Sequence, residues 1–126
     1  MMVLVDTCGW IEWFTAGTQV DLYEPYFQTI EAVIVPTSVQ FELYKWVRRE
    51  ATEARALESI ALTGQGNVVP LNTNIALLAA DLALEHRLSF ADAIIYATAR
   101  HHRAMLVTSD EHFEGLSGVE YYPKRY

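Results

Sequence analysis

A chain of 126 residues, 52% of them hydrophobic, is long enough for one packed core and too short for two ordinary domains, so we expect a single domain over residues 1–126. Its formal net charge of -7 argues against a protein that coats nucleic acid by bulk attraction, because that mode of binding needs a basic surface. No apolar run approaches the roughly 20 residues of a membrane span, no signal-peptide pattern is present, and the single cysteine, Cys8, cannot form an internal disulfide. We therefore expect a cytoplasmic protein that does not contact a membrane.

The first predicted strand ends in a carboxylate. Residues 2–5 form a short unbroken apolar run, typical of a strand buried on both faces of a parallel sheet, and the run stops at Asp6. Ligands of open α/β sheets bind outside the carboxyl ends of the strands, so Asp6 lies where a site would be built.

Two predicted helices follow, over residues 8–14 and from about Asp21 as an N-cap, and both are rich in aromatic residues. Core packing is the simpler interpretation, and a partner groove or dimer face is the alternative. We expect part of this surface to bind a partner. The aromatic residues concerned are Trp10, Trp13, Phe14, Tyr23, Tyr26 and Phe27.

A second short buried strand, residues 32–35, ends at a proline, and Thr37 or Ser38 offers a hydroxyl cap to a helix that runs to about Arg49. Glu42 falls in the early part of this helix. Because the helix leaves the carboxyl end of its strand, its first turns lie on the same sheet edge as Asp6. The charged residues from Lys45 to Glu58 favour a solvated face over a phosphate-binding patch.

The second half of the chain repeats this alternation. A third strand over residues 67–71 precedes a helix over 75–85, and Ser89 to Asp92 opens the next helix as Ser-x-x-Asp, a variant of the capping box. Asp92 is therefore equally well interpreted as a helix cap or as a site residue. The fourth strand, residues 104–108, runs into Ser109 and Asp110, and a last short strand lies near residues 119–122.

Alternating strands and helices predict a parallel sheet with helices on both faces. In that arrangement four carboxylates converge on one edge: Asp6, Glu42, Asp92 and Asp110. At an effective dielectric constant of about 20 and a separation of about 5 Å, each like-charged pair costs about 3 kcal/mol, which protonation or a bound cation must offset. Ligands that are all oxygen indicate Mg²⁺ or Mn²⁺ rather than zinc.

Four segments of the chain resemble the acidic motifs of the PIN-domain ribonucleases, and their order and spacing are similar to those of the VapC-like toxins of toxin–antitoxin pairs. The segments are Val-Leu-Val-Asp6-Thr-Cys, Thr37-Ser-Val-Gln-Phe-Glu42-Leu, Ser89-Phe-Ala-Asp92-Ala-Ile-Ile-Tyr-Ala-Thr-Ala, and Leu106-Val-Thr-Ser-Asp110-Glu-His-Phe.

The resemblance implies a three-layer sandwich with strand order 3-2-1-4-5 and a Mg²⁺ or Mn²⁺ site formed by Asp6, Glu42, Asp92 and Asp110, with Thr7 and Ser109 as secondary contacts. It also implies cleavage of RNA, a homodimer and inhibition by a small antitoxin protein. No protein nucleophile is needed, because metal-activated water attacks the phosphodiester.

Other chemistries fit the sequence less well. A phosphatase with Asp6 as nucleophile would usually carry a second aspartate two positions later, where this chain has Cys8, and a receiver-type phosphoacceptor needs a lysine after a later strand, whereas the only lysines are Lys45 and Lys124. Cys8 as a nucleophile lacks a histidine at a recognisable pairing position. The non-enzymatic alternative is a catalytically silent PIN-like module that only binds a partner.

Overall fold

A computed structural model describes residues 1–125 of the chain, and the predicted domain end at residue 126 lies outside that range. Strands and helices alternate, as the sequence predicts. The strands are β1 (Val3–Val5), β2 (Val33–Pro36), β3 (Asn67–Val69), β4 (Met105–Thr108) and β5 (Val119–Tyr121). The helices are α1 (Thr7–Thr15), α2 (Val20–Phe27), α3 (Thr37–Glu50), α4 (Glu53–Thr63), α5 (Thr73–His86) and α6 (Phe90–His101).

The five strands form one sheet in the order β3-β2-β1-β4-β5, and every neighbouring pair is parallel. The predicted strand order 3-2-1-4-5 and the α/β class are thereby confirmed. Strand β1 lies at the centre, where Val5 pairs with Val107 of β4 and Leu4 pairs with Ile34 of β2. Its side chains are buried throughout because the sheet is covered on both faces. The central position brings the carboxyl end of β1 between those of β2 and β4.

The aromatic residues of α1 and α2 belong mainly to the core. Trp10, Tyr23 and Phe27 are buried, and the rings of Trp13 and Phe27 stack with their centres 4.3 Å apart. Those three side chains are therefore core residues, as the simpler interpretation predicts, and none of them is available to a partner. The remaining aromatics of these helices, Trp13, Phe14 and Tyr26, are partly buried and pack against the core. They therefore also contribute to the packing of α1 and α2.

The helix starts follow local hydrogen bonding. Ser89 Oγ accepts from the Asp92 N–H at 3.2 Å, as the capping box predicts, and Asn72 caps α5. The predicted hydroxyl cap of α3 is wrong: Pro36 is the N-cap and makes no side-chain bond, because Thr37 is already the first helical residue. Asp21 lies inside the first turn of α2 rather than at its cap. Among residues 1–125, no helix has the length and apolar character that crossing a membrane requires.

Candidate functional site

Asp6 follows the end of β1 and is buried in a network of donors. Its Oδ1 accepts from the Thr7 N–H at 2.8 Å and thereby caps α1, and its Oδ2 accepts from the Thr108 hydroxyl at 2.8 Å. Burial, with smaller contributions from the charges of Glu42 and Asp110, raises the pKa of Asp6 to about 6, although the two hydrogen bonds act to lower it. The carboxylate is therefore held in one orientation but is costly to ionise.

Glu42 reaches the same edge from the second turn of α3. Its Oε1 accepts a 3.0 Å hydrogen bond from the Thr7 hydroxyl, so Thr7 contacts two of the predicted site residues. Partial burial is the main cause that raises the pKa of Glu42, and the charges of Asp92 and Asp110 add to it. Glu42 thus lies close enough to the other carboxylates to interact with them electrostatically.

Asp92 and Asp110 form a close pair with His112 between them. The His112 Nδ1 lies 3.2 Å from Asp92 Oδ2 and 3.1 Å from Asp110 Oδ1. Burial raises the pKa of Asp92, and the neighbouring Asp110 carboxylate is the next largest cause. One possible ligand atom from each of these three residues falls within 4.8 Å of the others. The capping and site interpretations of Asp92 are compatible, because its backbone N–H is capped by Ser89 while its side chain faces Asp110.

All four predicted site residues line one cavity of about 170 Å³. Its walls are formed by Asp6, Thr7, Cys8, Glu42, Asp92, Asp110 and Lys124. The carboxylate oxygens outnumber the cationic groups around them, and burial or mutual repulsion raises the pKa of three of the four acids. A cluster of this kind fits a hard divalent cation, which prefers oxygen ligands and relieves the repulsion.

The side chains of Ser109 and Cys8 form hydrogen bonds within the protein. The Ser109 side chain is buried and hydrogen-bonded to the Tyr23 hydroxyl, so it does not line the acidic cavity, whereas Thr7 does. The Cys8 Sγ accepts from the Ser109 N–H at 3.4 Å, and burial raises the pKa of the Cys8 thiol to about 11. A thiol with so high a pKa is a poor nucleophile at neutral pH.

The structure adds two residues that the sequence did not single out. His112 lies two positions after Asp110, and that spacing within the fourth motif is the signal that could have identified it. Lys124 lies in the short tail that follows β5, which no motif of the sequence marks as part of a site. The Gln19 Nε2 donates to the Pro123 carbonyl at 2.8 Å, and Arg125 pairs with Asp21 at 3.1 Å, so the tail is anchored on both sides of Lys124.

The sequence profile of the PIN domain matches residues 3–119. The chain belongs to the PIN-domain family. The resemblance of its four acidic motifs to PIN domains is thereby confirmed. No curated protein matches the sequence.

Solved structures share the fold of this PIN domain at low sequence identity. A chain described as "Toxin-antitoxin complex from Klebsiella pneumoniae" is 24% identical with a TM-score of 0.81, over 97% of this chain and 99% of that chain. VapBC2 from Rickettsia felis, bound to a DNA fragment from its promoter, is 14% identical with a TM-score of 0.78, over 98% of both chains. Mycobacterium tuberculosis VapC20, described as a Sarcin-Ricin loop cleaving toxin, is 18% identical with a TM-score of 0.74, over 91% of this chain and 95% of that chain.

Proposed function

We propose that this PIN domain is a Mg²⁺- or Mn²⁺-dependent endoribonuclease and the toxin of a cytoplasmic toxin–antitoxin pair. The observation that carries the proposal is the convergence of Asp6, Glu42, Asp92 and Asp110 on one cavity. Catalytic PIN domains need such a set of acids, whereas a module that only binds a partner has no reason to gather like charges at one sheet edge. The likeness to a chain of a toxin–antitoxin complex, and to a toxin described as cleaving the Sarcin-Ricin loop, supports the biological role.

The four carboxylates would hold the cation, with His112 beside Asp92 and Asp110. When bound, the cation supplies a water of lowered pKa as the nucleophile and stabilises the charge on the departing oxygen. Thr7 and Thr108 orient the carboxylates of Glu42 and Asp6 through their hydroxyl groups. No side chain of the protein becomes covalently attached to the RNA.

Lys124 provides the cationic contact for the substrate. Among the residues that the structure describes, it is the one cation that lines the acidic cavity. Its ammonium group can bind a phosphate oxygen of the RNA and attract the strand toward a cavity whose own charge is negative. Because the tail is anchored through Gln19 and Asp21, this contact needs little additional ordering of the chain.

The test compares the purified protein with Asp6→Asn on single-stranded RNA, in Mn²⁺ and in EDTA. We expect EDTA-sensitive cleavage by the wild-type protein and a loss of at least about a hundredfold in Asp6→Asn, because a metal ligand is removed. Glu24→Gln removes an exposed carboxylate of α2 and serves as the matched control, with unchanged activity. Full, EDTA-sensitive cleavage by Asp6→Asn would reject the assignment.

The partners proposed with this function are a small antitoxin and a second copy of the chain. Exposed apolar residues of α5 and the start of α6 support the homodimer, because large apolar side chains at the surface mark interfaces. Leu77 and Leu84 lie seven residues apart on α5, hence on one face. Light scattering should show a dimer that Leu77→Glu with Leu84→Glu converts to a monomer of 14.3 kDa. A wild-type protein that is monomeric in solution would reject the proposed homodimer.

A catalytically silent interaction module remains the second candidate function. The exposed apolar residues Leu77, Leu84 and Phe90 are the observation that favours it, since they offer a surface for a protein partner without any chemistry. Two measurements distinguish the two functions. A silent module would show neither cleavage of RNA nor an effect of Mn²⁺ on its melting temperature.

A further inference from the structure

A second cavity, of about 250 Å³, shares a wall with the acidic cavity. It lies between the start of α1 and the exposed side of α3. Its walls are formed by Thr7, Ile11, Phe41, Glu42, Lys45, Trp46 and Arg49. Thr7 and Glu42 line both cavities, so a polymer bound across the acidic cavity can extend directly into this one.

Phe41 presents an aromatic ring at the mouth of this second cavity. The residue is 66% exposed, so the ring is accessible to a ligand. Trp46, five residues later, is partly buried and packs against the core, so the cavity has a fixed aromatic wall behind the exposed ring. An exposed ring beside a nucleic-acid site is the usual stacking surface for an unpaired base.

The charge of the second cavity is opposite to that of the first. The Lys45 Nζ lies 5.8 Å from the centre of the Phe41 ring, and Arg49 follows one turn later on α3. Arg49 pairs with Glu50 at 3.1 Å, but both side chains are more than half exposed, so the pair is weak and a phosphate can replace it. Two cations beside an aromatic ring bind a nucleotide through its phosphate and its base.

The same charges favour RNA over a protein segment as the occupant. A peptide that reaches into the acidic cavity must be basic, and Lys45 and Arg49 would repel it at the neighbouring cavity. A strand of RNA is attracted at both cavities. Lys45 and Arg49 attract its phosphates, and the carboxylates would bind its scissile phosphate through a cation. The solvated face inferred for these residues from the sequence is therefore only part of their role.

We propose that Phe41, Lys45 and Arg49 form a subsite for the nucleotide adjacent to the scissile phosphate, with its base stacked on Phe41 and its phosphate bound by the two cations. The subsite rests on the proposed ribonuclease function. It requires an unpaired base, because a paired base has no free face for the ring. The substrate class is accordingly single-stranded RNA or a loop.

The first test measures kcat and KM on a fluorescein-labelled single-stranded oligoribonucleotide in Mn²⁺. Phe41→Leu keeps an apolar side chain but removes the ring, and it should raise KM about tenfold with kcat within about twofold of wild type. Phe41→Trp should restore the wild-type KM. The matched control is Leu57→Ala, which removes another strongly exposed apolar side chain, on α4, that lines neither this cavity nor the acidic one, and its KM should not change.

Two further measurements separate stacking from other causes. An oligoribonucleotide with abasic nucleotides on both sides of the cleaved bond should abolish the difference in KM between wild type and Phe41→Leu. The double variant Lys45→Gln with Arg49→Gln should reduce the slope of log affinity against log salt by about 0.7, the value for one phosphate contact of a single strand. A difference in KM that persists with the abasic substrate, or an unchanged slope in the double variant, would overturn the subsite.

Binding of the same oligoribonucleotide is also followed by fluorescence anisotropy, which does not depend on cleavage. If the wild-type protein binds RNA without cutting it, the ribonuclease proposal fails while a loss of affinity in Phe41→Leu still supports the subsite. If the wild-type protein cuts RNA but Phe41→Leu has unchanged KM and unchanged affinity, the ribonuclease proposal stands and the subsite is rejected. A protein segment would then be the occupant of this cavity.

Discussion

The Thr108 hydroxyl donates a 2.8 Å hydrogen bond to Asp6 Oδ2, across two neighbouring parallel strands. The Thr108 hydroxyl oxygen also accepts a hydrogen bond from the Asp110 N–H at 2.9 Å, so this one buried side chain connects two of the four acidic residues. Thr108 is the last residue of β4, and it holds the end of β1 in register with the loop that carries Asp110. The geometry of the acidic cavity therefore depends on a residue with no charge.

Thr108→Val should destabilise the metal-free protein by about 2 kcal/mol, because the Asp6 carboxylate loses a charge-assisted hydrogen bond in a buried site. Urea unfolding in EDTA measures the change in the free energy of unfolding. Thr98→Val is the matched control, since Thr98 is also buried but its hydroxyl donates only to the Ile94 carbonyl of its own helix. Equal losses in the two variants would contradict a special role for Thr108.

The stability of the metal-free protein should fall as the pH rises from 3.8 to about 6, the interval between the ordinary pKa of an aspartate and the raised pKa of Asp6. In this interval the folded state holds a proton on Asp6 that the unfolded state has released, so a higher pH favours unfolding. The full effect of this one group is about 3 kcal/mol, from a shift of about two pKa units.

Urea unfolding in EDTA across this pH interval checks the prediction. Asp6→Asn has no carboxyl group to titrate at this position, so its stability should depend less on pH, and it should be more stable than the wild-type protein near neutral pH. The raised pKa of Glu42 and of Asp92 acts in the same direction and remains in the variant. If the stabilities of the two proteins depended on pH in the same way, the raised pKa of Asp6 would be contradicted.

Mn²⁺ should raise the melting temperature of the wild-type protein in a concentration-dependent way, because the folded state binds the cation and the unfolded chain does not. At a hundredfold excess over the dissociation constant, the expected stabilisation is about 2.7 kcal/mol. Asp92→Asn should reduce this gain, whereas Glu24→Gln should keep it. Calcium should also stabilise the protein without supporting cleavage, since it accepts looser coordination. Melting curves that are identical in EDTA and in Mn²⁺ would argue against a metal site.

The sheet and the four acids could be predicted from local sequence signals. The apolar runs before Asp6 and Asp110 end abruptly, and such runs mark buried parallel strands. Ser89 and Asp92 mark the start of a helix by the capping pattern, and Glu42 follows a strand that proline ends. Parallel topology then places all four acids at one edge, because every strand points the same way.

Features that depend on contacts between residues far apart in the sequence could not be predicted from local sequence signals. The hydrogen bond between Gln19 and Pro123 joins residues 104 positions apart, and it brings Lys124 to the acidic cavity.

The burial of the aromatic residues in α1 and α2 could not be predicted from the sequence either. Helical spacing groups Trp10, Trp13 and Phe14, but burial of Trp10 and Tyr23 depends on how closely α1 and α2 approach the sheet. Gly9 allows that approach, since a Cβ there would lie 2.4 Å from Val5 Cγ1.

Lys124→Met should raise KM for RNA about tenfold and leave the metal-free fold intact, because Lys124 is exposed and contributes a cation rather than packing. Lys124→Arg keeps the charge and should retain most of the activity. Gln19→Leu removes the buried donor to the Pro123 carbonyl, so it should release the tail and raise KM in the same direction while Lys124 is still present. Steady-state kinetics at several salt concentrations test the three variants together. If Lys124→Met has the wild-type KM and salt dependence, the lysine beside the acidic cavity has no contact with the substrate.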